Sequence, residues 1–146
     1  MGLLRDWNLS AFGCNVYVET GTGRGVSLGK AISVFDRCYS VDLDPEMVNT
    51  ALINYPNAHV EVGTSTDILE KWLTCGALKQ DENVFFYLDA HFPGADFKGA
   101  AYDVKAPDAV PLQKELELIK KHRPNSQDII LCDDARIYTT GPFEHG

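Results

Sequence analysis

Five short runs of this chain are apolar almost without interruption: Val16 to Val18, Cys38 to Val41, His59 to Val62, Val84 to Leu88 and Ile129 to Cys132. Strands covered by helices on both faces have this texture, whereas half-exposed strands alternate apolar and polar residues. Helix-like segments lie between the runs. Gly25 to Phe35 follows the first. Pro45 to Asn54 follows the second, with Asp44 placed to cap it and Pro45 at its first helical position. Asp67 to Leu73 follows the third, behind Thr64-Ser65-Thr66 and ahead of a Gly76 stop, and Leu112 to His122 precedes the fifth. Regular alternation of strand and helix predicts a doubly wound α/β fold: a parallel sheet of about five strands, right-handed crossovers, and helices on both faces. Leu3 to Phe12 is expected to add one N-terminal helix.

At 146 residues the chain is expected to form a single domain over 1–146. The formal charge is −8, and an acidic surface repels phosphate backbones, so nucleic acid is not expected as a partner. The basic group Lys120-Lys121-His122-Arg123 falls at a predicted helix end, where cations are favoured by the helix dipole. No apolar run approaches the ~20 residues of a membrane helix. The opening residues Met1 to Asp6 lack a signal-peptide core, which makes the cytoplasm the expected location. Cys14, Cys38, Cys75 and Cys132 show no metal-ligand spacing and are expected to be buried, reduced thiols.

The first apolar run leads into Glu19-Thr20-Gly21-Thr22-Gly23-Arg24-Gly25. Glycines after a strand allow positive φ and close approach of backbone to a ligand, and the helix behind them offers unpaired N–H groups to an anion. Glu19 is placed to accept from a ligand's ammonium. A simple strand-to-helix turn explains the glycines alone. The dinucleotide fingerprint needs a small residue at the sixth position from Gly21, where this chain has Val26. No Gly-Lys-Ser/Thr follows, which excludes a P-loop.

Asp42 ends the second run, where an acid about twenty residues past the glycines can hold both hydroxyls of a ribose. Leu43 is placed to lie against a purine, and Asp44 reads as a helix cap. The fourth run ends in Asp89-Ala90-His91 and the fifth in Asp133-Asp134. In a parallel sheet these ends share the edge of the glycine loop. Two chemistries are open there. Asp89, Asp133 and Asp134 are oxygen ligands for Mg²⁺ or another hard divalent ion, which would activate a substrate hydroxyl. Without a metal, His91 is a general base, with Asp133 or Asp134 orienting it. Each residue also has a plainer role: His91 as an ordinary polar residue, and Asp133 or Asp134 as caps. The Gly94 to Pro111 stretch, with no clean period, leaves the fourth strand and is expected to shape the acceptor side.

Together these residues resemble the class I S-adenosylmethionine (SAM) dependent methyltransferases. ExGxGxG stands at Glu19 to Gly25, the acid at Asp42 with Asp44-Pro45-Glu46-Met47 behind it, and a turn is centred on Gly63. The resemblance runs from Val16 to Tyr138. It implies a Rossmann-like fold, SAM as cofactor, and Glu19, Thr20, Gly21, Gly23, Gly25, Asp42, Leu43, Thr64, Ser65 and Asp89 as cofactor-binding residues. Asp89 and His91 would be catalytic. The family commonly has an Asp after the Gly63 position to meet the adenine amine; this chain has Thr64, then Ser65, which helix capping explains as well. The acids after the fourth and fifth runs are similar to the metal-binding acids of catechol-type O-methyltransferases, with Asp134 in place of the usual Asn. The family usually continues with a helix and an antiparallel strand pair. This sequence runs to Gly146, so the sheet is expected to lack that pair and to complete itself with a second copy as a homodimer. The expected function is methyl transfer to a hydroxyl of a small molecule. The alternatives are a non-catalytic SAM-binding or association module and an NAD-type Rossmann enzyme.

Overall fold

The computed structural model describes residues 3–90 and 111–133. Its elements are β1 (Val16–Thr20), α1 (Val26–Ile32), β2 (Arg37–Asp42), α2 (Pro45–Asn54), β3 (His59–Val62), α3 (Ser65–Thr74), β4 (Val84–Leu88), α4 (Leu112–His122) and β5 (Ile129–Cys132). The sheet order is β3-β2-β1-β4-β5 and every pairing is parallel. The chain therefore winds outward from β1 in one direction, returns to β4 and winds outward in the other, the doubly wound α/β architecture.

Side-chain alternation along the central strands builds a core on each face. Tyr17, Phe85 and Tyr87 point towards α1 and α2, where they meet Leu28, Ala31, Val48 and Ala51. Val16, Val18, Val84, Phe86 and Leu88 point the other way, against Leu69, Trp72 and Leu73 of α3 and Leu118 and Ile119 of α4. β1 and β4 are buried throughout, as continuous apolar runs require. The edge strands β3 and β5 are covered less completely, and Val62 and Ile130 are exposed.

Asp44 caps α2 by accepting from the Glu46 N–H at 2.8 Å, and Pro45 follows it. Two expectations are corrected. Leu3 to Phe12 is not one helix but two single 3-10 turns, Leu3–Asp6 and Leu9–Phe12. Lys30 binds the Leu4 carbonyl and, at 2.7 Å, the Trp7 carbonyl, so tertiary hydrogen bonds tie this segment to α1. Of the cysteines only Cys38 is buried; Cys14 and Cys132 are half-buried and Cys75 is exposed. The basic group does fall at the end of α4, where Arg123 is the C-cap residue. Lys120, Lys121 and His122 occupy the last turn of α4, but Arg123 is buried. Its Nε donates to Asp128 Oδ2 at 2.6 Å and its Nη2 to Oδ1 at 2.9 Å. The remaining guanidinium donors reach the carbonyls of Lys79 and Glu82 at 2.8 and 2.7 Å. This cluster ties the loop before β4 to the loop before β5.

Arg123→Met is expected to destabilise the fold by about 3–5 kcal/mol, because it leaves Asp128 charged and buried without its partner. Urea unfolding measures it; a change under about 1 kcal/mol would contradict a structural role for the pair.

No helix among the described residues is long and apolar enough to cross a membrane.

Candidate functional site

Parallel pairing brings the carboxyl ends of all five strands to one edge. The ladder continues one residue past several strands there. Gly21 N–H donates to the Val41 carbonyl at 2.9 Å, Asp89 N–H to Thr20 at 3.0 Å, Asp133 N–H to Leu88 at 3.0 Å and Gly63 N–H to Asp42 at 2.9 Å. Gly63, Gly21, Asp89 and Asp133 thus stand in sheet order along the edge. The crossovers leaving β1 and β4 go to opposite faces, which opens a crevice between these two strands.

The three glycines of the loop do different work. Gly21 has φ +85°, and a Cβ there would lie 2.7 Å from the Asp89 carbonyl oxygen. It lets the loop close onto the chain leaving β4. Gly23 has φ +49° with open space where its Cβ would be. It is exposed, and its N–H donates to Asp42 Oδ2 at 2.8 Å. Gly25 is buried under the Tyr55 ring, which also packs on Gly29. The space Gly25 leaves is filled by Tyr55; of the three glycines, Gly23 is the exposed one.

Asp42 joins two loops. While Oδ2 holds Gly23, Oδ1 accepts from the Asp44 N–H at 2.9 Å. Each oxygen keeps a lone pair for a further donor. Beside it Leu43 is 54% exposed, enough to offer an apolar surface at the edge.

Glu19 lies wholly beneath the loop. Its carboxylate accepts from the hydroxyls of Tyr17 at 3.0 Å, Ser40 at 2.6 Å and Ser27. Ser40 in turn meets Thr22 Oγ1 at 2.7 Å. Glu19 therefore supports the loop from below. Burial raises its pKa to about 7, although the three hydroxyls work in the opposite direction. Thr20 is buried as well, and its hydroxyl faces the Ala90 N–H at 3.4 Å. Thr64 caps α3 by accepting from the Asp67 N–H at 3.2 Å, which accounts for its hydroxyl without a ligand. Ser65 is buried at the start of the same helix.

At the β4 and β5 ends, Tyr87 donates its hydroxyl to Asp133 Oδ2 at 2.6 Å. Burial and that bond push the Tyr87 pKa far up, so it acts as a donor and not as a base. Asp89 is half-buried on the edge, close enough to Glu19 to raise its pKa further. His91 and Asp134 lie outside the described residues. Among the described residues no three metal-ligating side chains converge, and Asp133 is engaged by Tyr87.

Sequence reasoning missed Tyr17, Ser27, Ser40, Tyr55, Tyr87 and Glu115. Ser40, a polar residue inside an apolar run, was a visible signal. So was Glu115, which shares the apolar face of α4 with Leu112 and Ile119 by helical spacing. It is wholly buried. Burial raises its pKa to about 7 as well, against the lowering effect of the Ser65 and Thr20 hydroxyls. Tyr17, Tyr55 and Tyr87 carry no signal in the sequence that separates them from ordinary core residues.

Glu19 and Glu115 set a pH dependence. Folded, each holds its proton to about 7; the ordinary value is 4.5. Between these values the folded chain binds more protons than the unfolded one, so stability falls as pH rises through the window and levels off above it. Glu61 acts oppositely at lower pH. Burial pushes its pKa up, but hydrogen bonds from Lys71, Trp72 and His59 outweigh that and bring it to about 2. Its contribution is lost only as pH falls from 4.5 towards 2. The thermal midpoint is therefore expected to be higher at pH 5 than at pH 7.5. A midpoint that rises across that interval would contradict the burial of these two acids.

No family model matches the chain, and no curated protein matches it. Among solved structures it is similar to a TehB-like SAM-dependent methyltransferase from Corynebacterium glutamicum, with a TM-score of 0.47 and 18% identity. The match covers 80% of this chain and 53% of that one, so the chain spans about half the length of that protein. The α/β Rossmann-like architecture stands on the strand order itself.

One expectation about the ligand loses its footing. Val26, the residue that breaks the dinucleotide fingerprint, is 62% exposed at the start of α1. A side chain there does not press on the sheet, so the mismatch does not exclude a dinucleotide.

Proposed function

We propose that this chain binds SAM along the carboxyl edge and transfers its methyl group to a hydroxyl of a small molecule. The observation that carries the reading is the Asp42 carboxylate, which holds the exposed Gly23 backbone and the start of the Asp44 turn in one cradle. Spare acceptor capacity on that carboxylate suits the two hydroxyls of a ribose, and exposed Leu43 suits the flat face of a purine. Among the described residues, the groups meeting Glu19 and Asp42 are hydroxyls and backbone N–H groups, none of them cationic. A ligand carrying ammonium and sulfonium charges would be favoured beside them and beside Asp89.

The bound cofactor supplies an activated methyl group. What this chain's residues do is hold and orient. Glu19, through Ser40 and Thr22, fixes the loop from beneath. Gly21 and Gly23 give it room, and Asp42 clamps it. Thr20, Gly25, Thr64 and Ser65 stand at the same edge, beside the ends of β1 and β3, and belong to the same cofactor site in this reading. Asp89, at the end of β4, faces the crevice region, and we assign it and His91 to the acceptor's hydroxyl, with His91 taking the proton. A second copy of the chain, joined along β5, belongs to the same reading, since β5 has one strand neighbour among the described residues and exposes Ile130.

Isothermal titration with S-adenosylhomocysteine, SAM and NAD⁺ tests the reading. Micromolar binding of the first two and none of the third is expected. Binding of NAD⁺ alone would establish the dinucleotide alternative. Binding of S-adenosylhomocysteine with no transfer of labelled methyl to any of a panel of hydroxylated acceptors would favour the non-catalytic module.

A further inference from the structure

Two glutamates are wholly buried beneath the carboxyl edge, one under each face of the sheet. Glu19, on the α1 side, is met by three hydroxyls. Glu115, on the α4 side, is not: among the described residues neither of its carboxylate oxygens has a hydrogen-bond partner. The hydroxyls of Ser65 and Thr20 are the polar side chains that act on it, yet neither forms a hydrogen bond of normal geometry with it.

The fold has no use for an acid at this position. Glu115 lies in the layer between α3, α4 and the sheet, with apolar Leu69, Leu118 and Ile119 in the same core. An unpaired polar group there is costly, and a leucine would not carry that penalty. A buried polar group without a partner among the described residues calls for one from elsewhere. The location gives that partner a source. Thr20 is the last residue of β1, directly ahead of Gly21, and Ser65 is the first residue of α3, directly behind Thr64. Both therefore lie at the edge where the ligand would rest.

We propose that Glu115, with Thr20 and Ser65, forms a polar subsite that receives an N–H donor of the bound ligand, an amine or a protonated nitrogen. This deepens the cofactor reading and rests on it. Glu115 is the acceptor of the subsite, and the two hydroxyls complete it by donating to the carboxylate or accepting from the ligand. The ligand that this chain is proposed to bind carries two such donors, an exocyclic amine on its purine and an ammonium on its amino-acid part. Either one supplies the chemistry.

The test uses the full chain as wild type, Glu115→Leu and Glu115→Gln. Each is titrated with S-adenosylhomocysteine, with its inosine analogue, which lacks the exocyclic amine, and with 5′-methylthioadenosine, which lacks the ammonium. Thermal midpoints are recorded without ligand. Glu115→Leu is expected to weaken S-adenosylhomocysteine binding about tenfold or more. It is also expected to raise the midpoint by about 2–4 °C, because an unmatched buried acid has gone. Glu115→Gln, which keeps an acceptor oxygen, should recover most of the affinity. An affinity loss spared with the inosine analogue assigns the donor to the purine amine. A loss spared with 5′-methylthioadenosine assigns it to the ammonium. Equal loss with all three ligands would overturn the N–H assignment. So would a Leu variant that binds like wild type, or one whose midpoint falls along with its affinity, since that pair of changes belongs to a structural residue. Wild type that binds none of the three would remove the cofactor reading and this subsite together.

Discussion

Asp42→Ala is expected to lower affinity for S-adenosylhomocysteine about 100-fold, the largest loss from a single side chain. The carboxylate bears two loads at once. It clamps Gly23 N–H and Asp44 N–H, and it offers its remaining lone pairs to the ligand. Hydrogen bonds to a charged acceptor are worth about 1.5–3 kcal/mol each, so losing one or two directed at a ribose accounts for the drop. Release of the loop adds to it. Asp42→Asn should not rescue binding. An amide has one acceptor oxygen, so its NH₂ must face either Gly23 N–H or Asp44 N–H, donor against donor. Titration calorimetry on both variants measures this. An affinity within threefold of wild type for Asp42→Ala would remove Asp42 from the ligand site.

The second large effect is expected at Gly21. A Cβ there would lie 2.7 Å from the Asp89 carbonyl oxygen and 2.9 Å from its carbonyl carbon, and the backbone sits at φ +85°. Neither contact can be relieved by moving a flexible side chain. Gly21→Ala must therefore push the loop away from the end of β4, at a cost of about 3 kcal/mol or more from strain and displacement together. It should abolish ligand binding at concentrations that saturate wild type. Gly23→Ala is the control. It meets nothing within 4 Å, and only its φ of +49° resists the change. The expected stability cost is about 1 kcal/mol, with any binding loss due to the methyl group on the ligand side. Urea unfolding and titration on the two variants separate them. Equal destabilisation would mean that the closeness of Gly21 to Asp89 does not matter.

The fold was largely legible because its signals are local. Continuous apolar runs marked the strands: β3, β4 and β5 begin and end where the runs do, and α2 and α4 match their expected spans. Asp44 and Pro45 announced the start of α2 by capping chemistry that needs no tertiary context. The N-terminal segment misled for the opposite reason. Its pattern permits a helix, but Lys30 binding to the Leu4 and Trp7 carbonyls competes with helical hydrogen bonds there, and the result is two isolated turns. Arg123 does end α4, but its interior partners were not legible. Position in the chain made it a helix-end cation, while Asp128, five residues on, drew it into the interior.

The candidate site was legible by residue but not by role. Gly21, Gly23 and Gly25 share one motif and one backbone region. What each accommodates is set by Asp89, by open space and by Tyr55, which are distant in sequence. Glu19 stood out as an acid ahead of glycines, but its hydroxyl partners on Tyr17, Ser27 and Ser40 were not legible.

The sequence by itself determined the alternation of strand and helix, and with it a parallel doubly wound sheet and a carboxyl edge where Gly21, Asp42, Asp89 and Asp133 gather. Strand periodicity and crossover handedness are enough for that. Only the tertiary structure decided which of those residues face outward and which are already satisfied. It put Glu19 and Glu115 beneath opposite faces of one edge, the first with three hydroxyl partners and the second with none among the described residues. The physical reason is that burial and hydrogen-bond satisfaction belong to pairs of residues brought together by folding. No pattern along the chain encodes the partner.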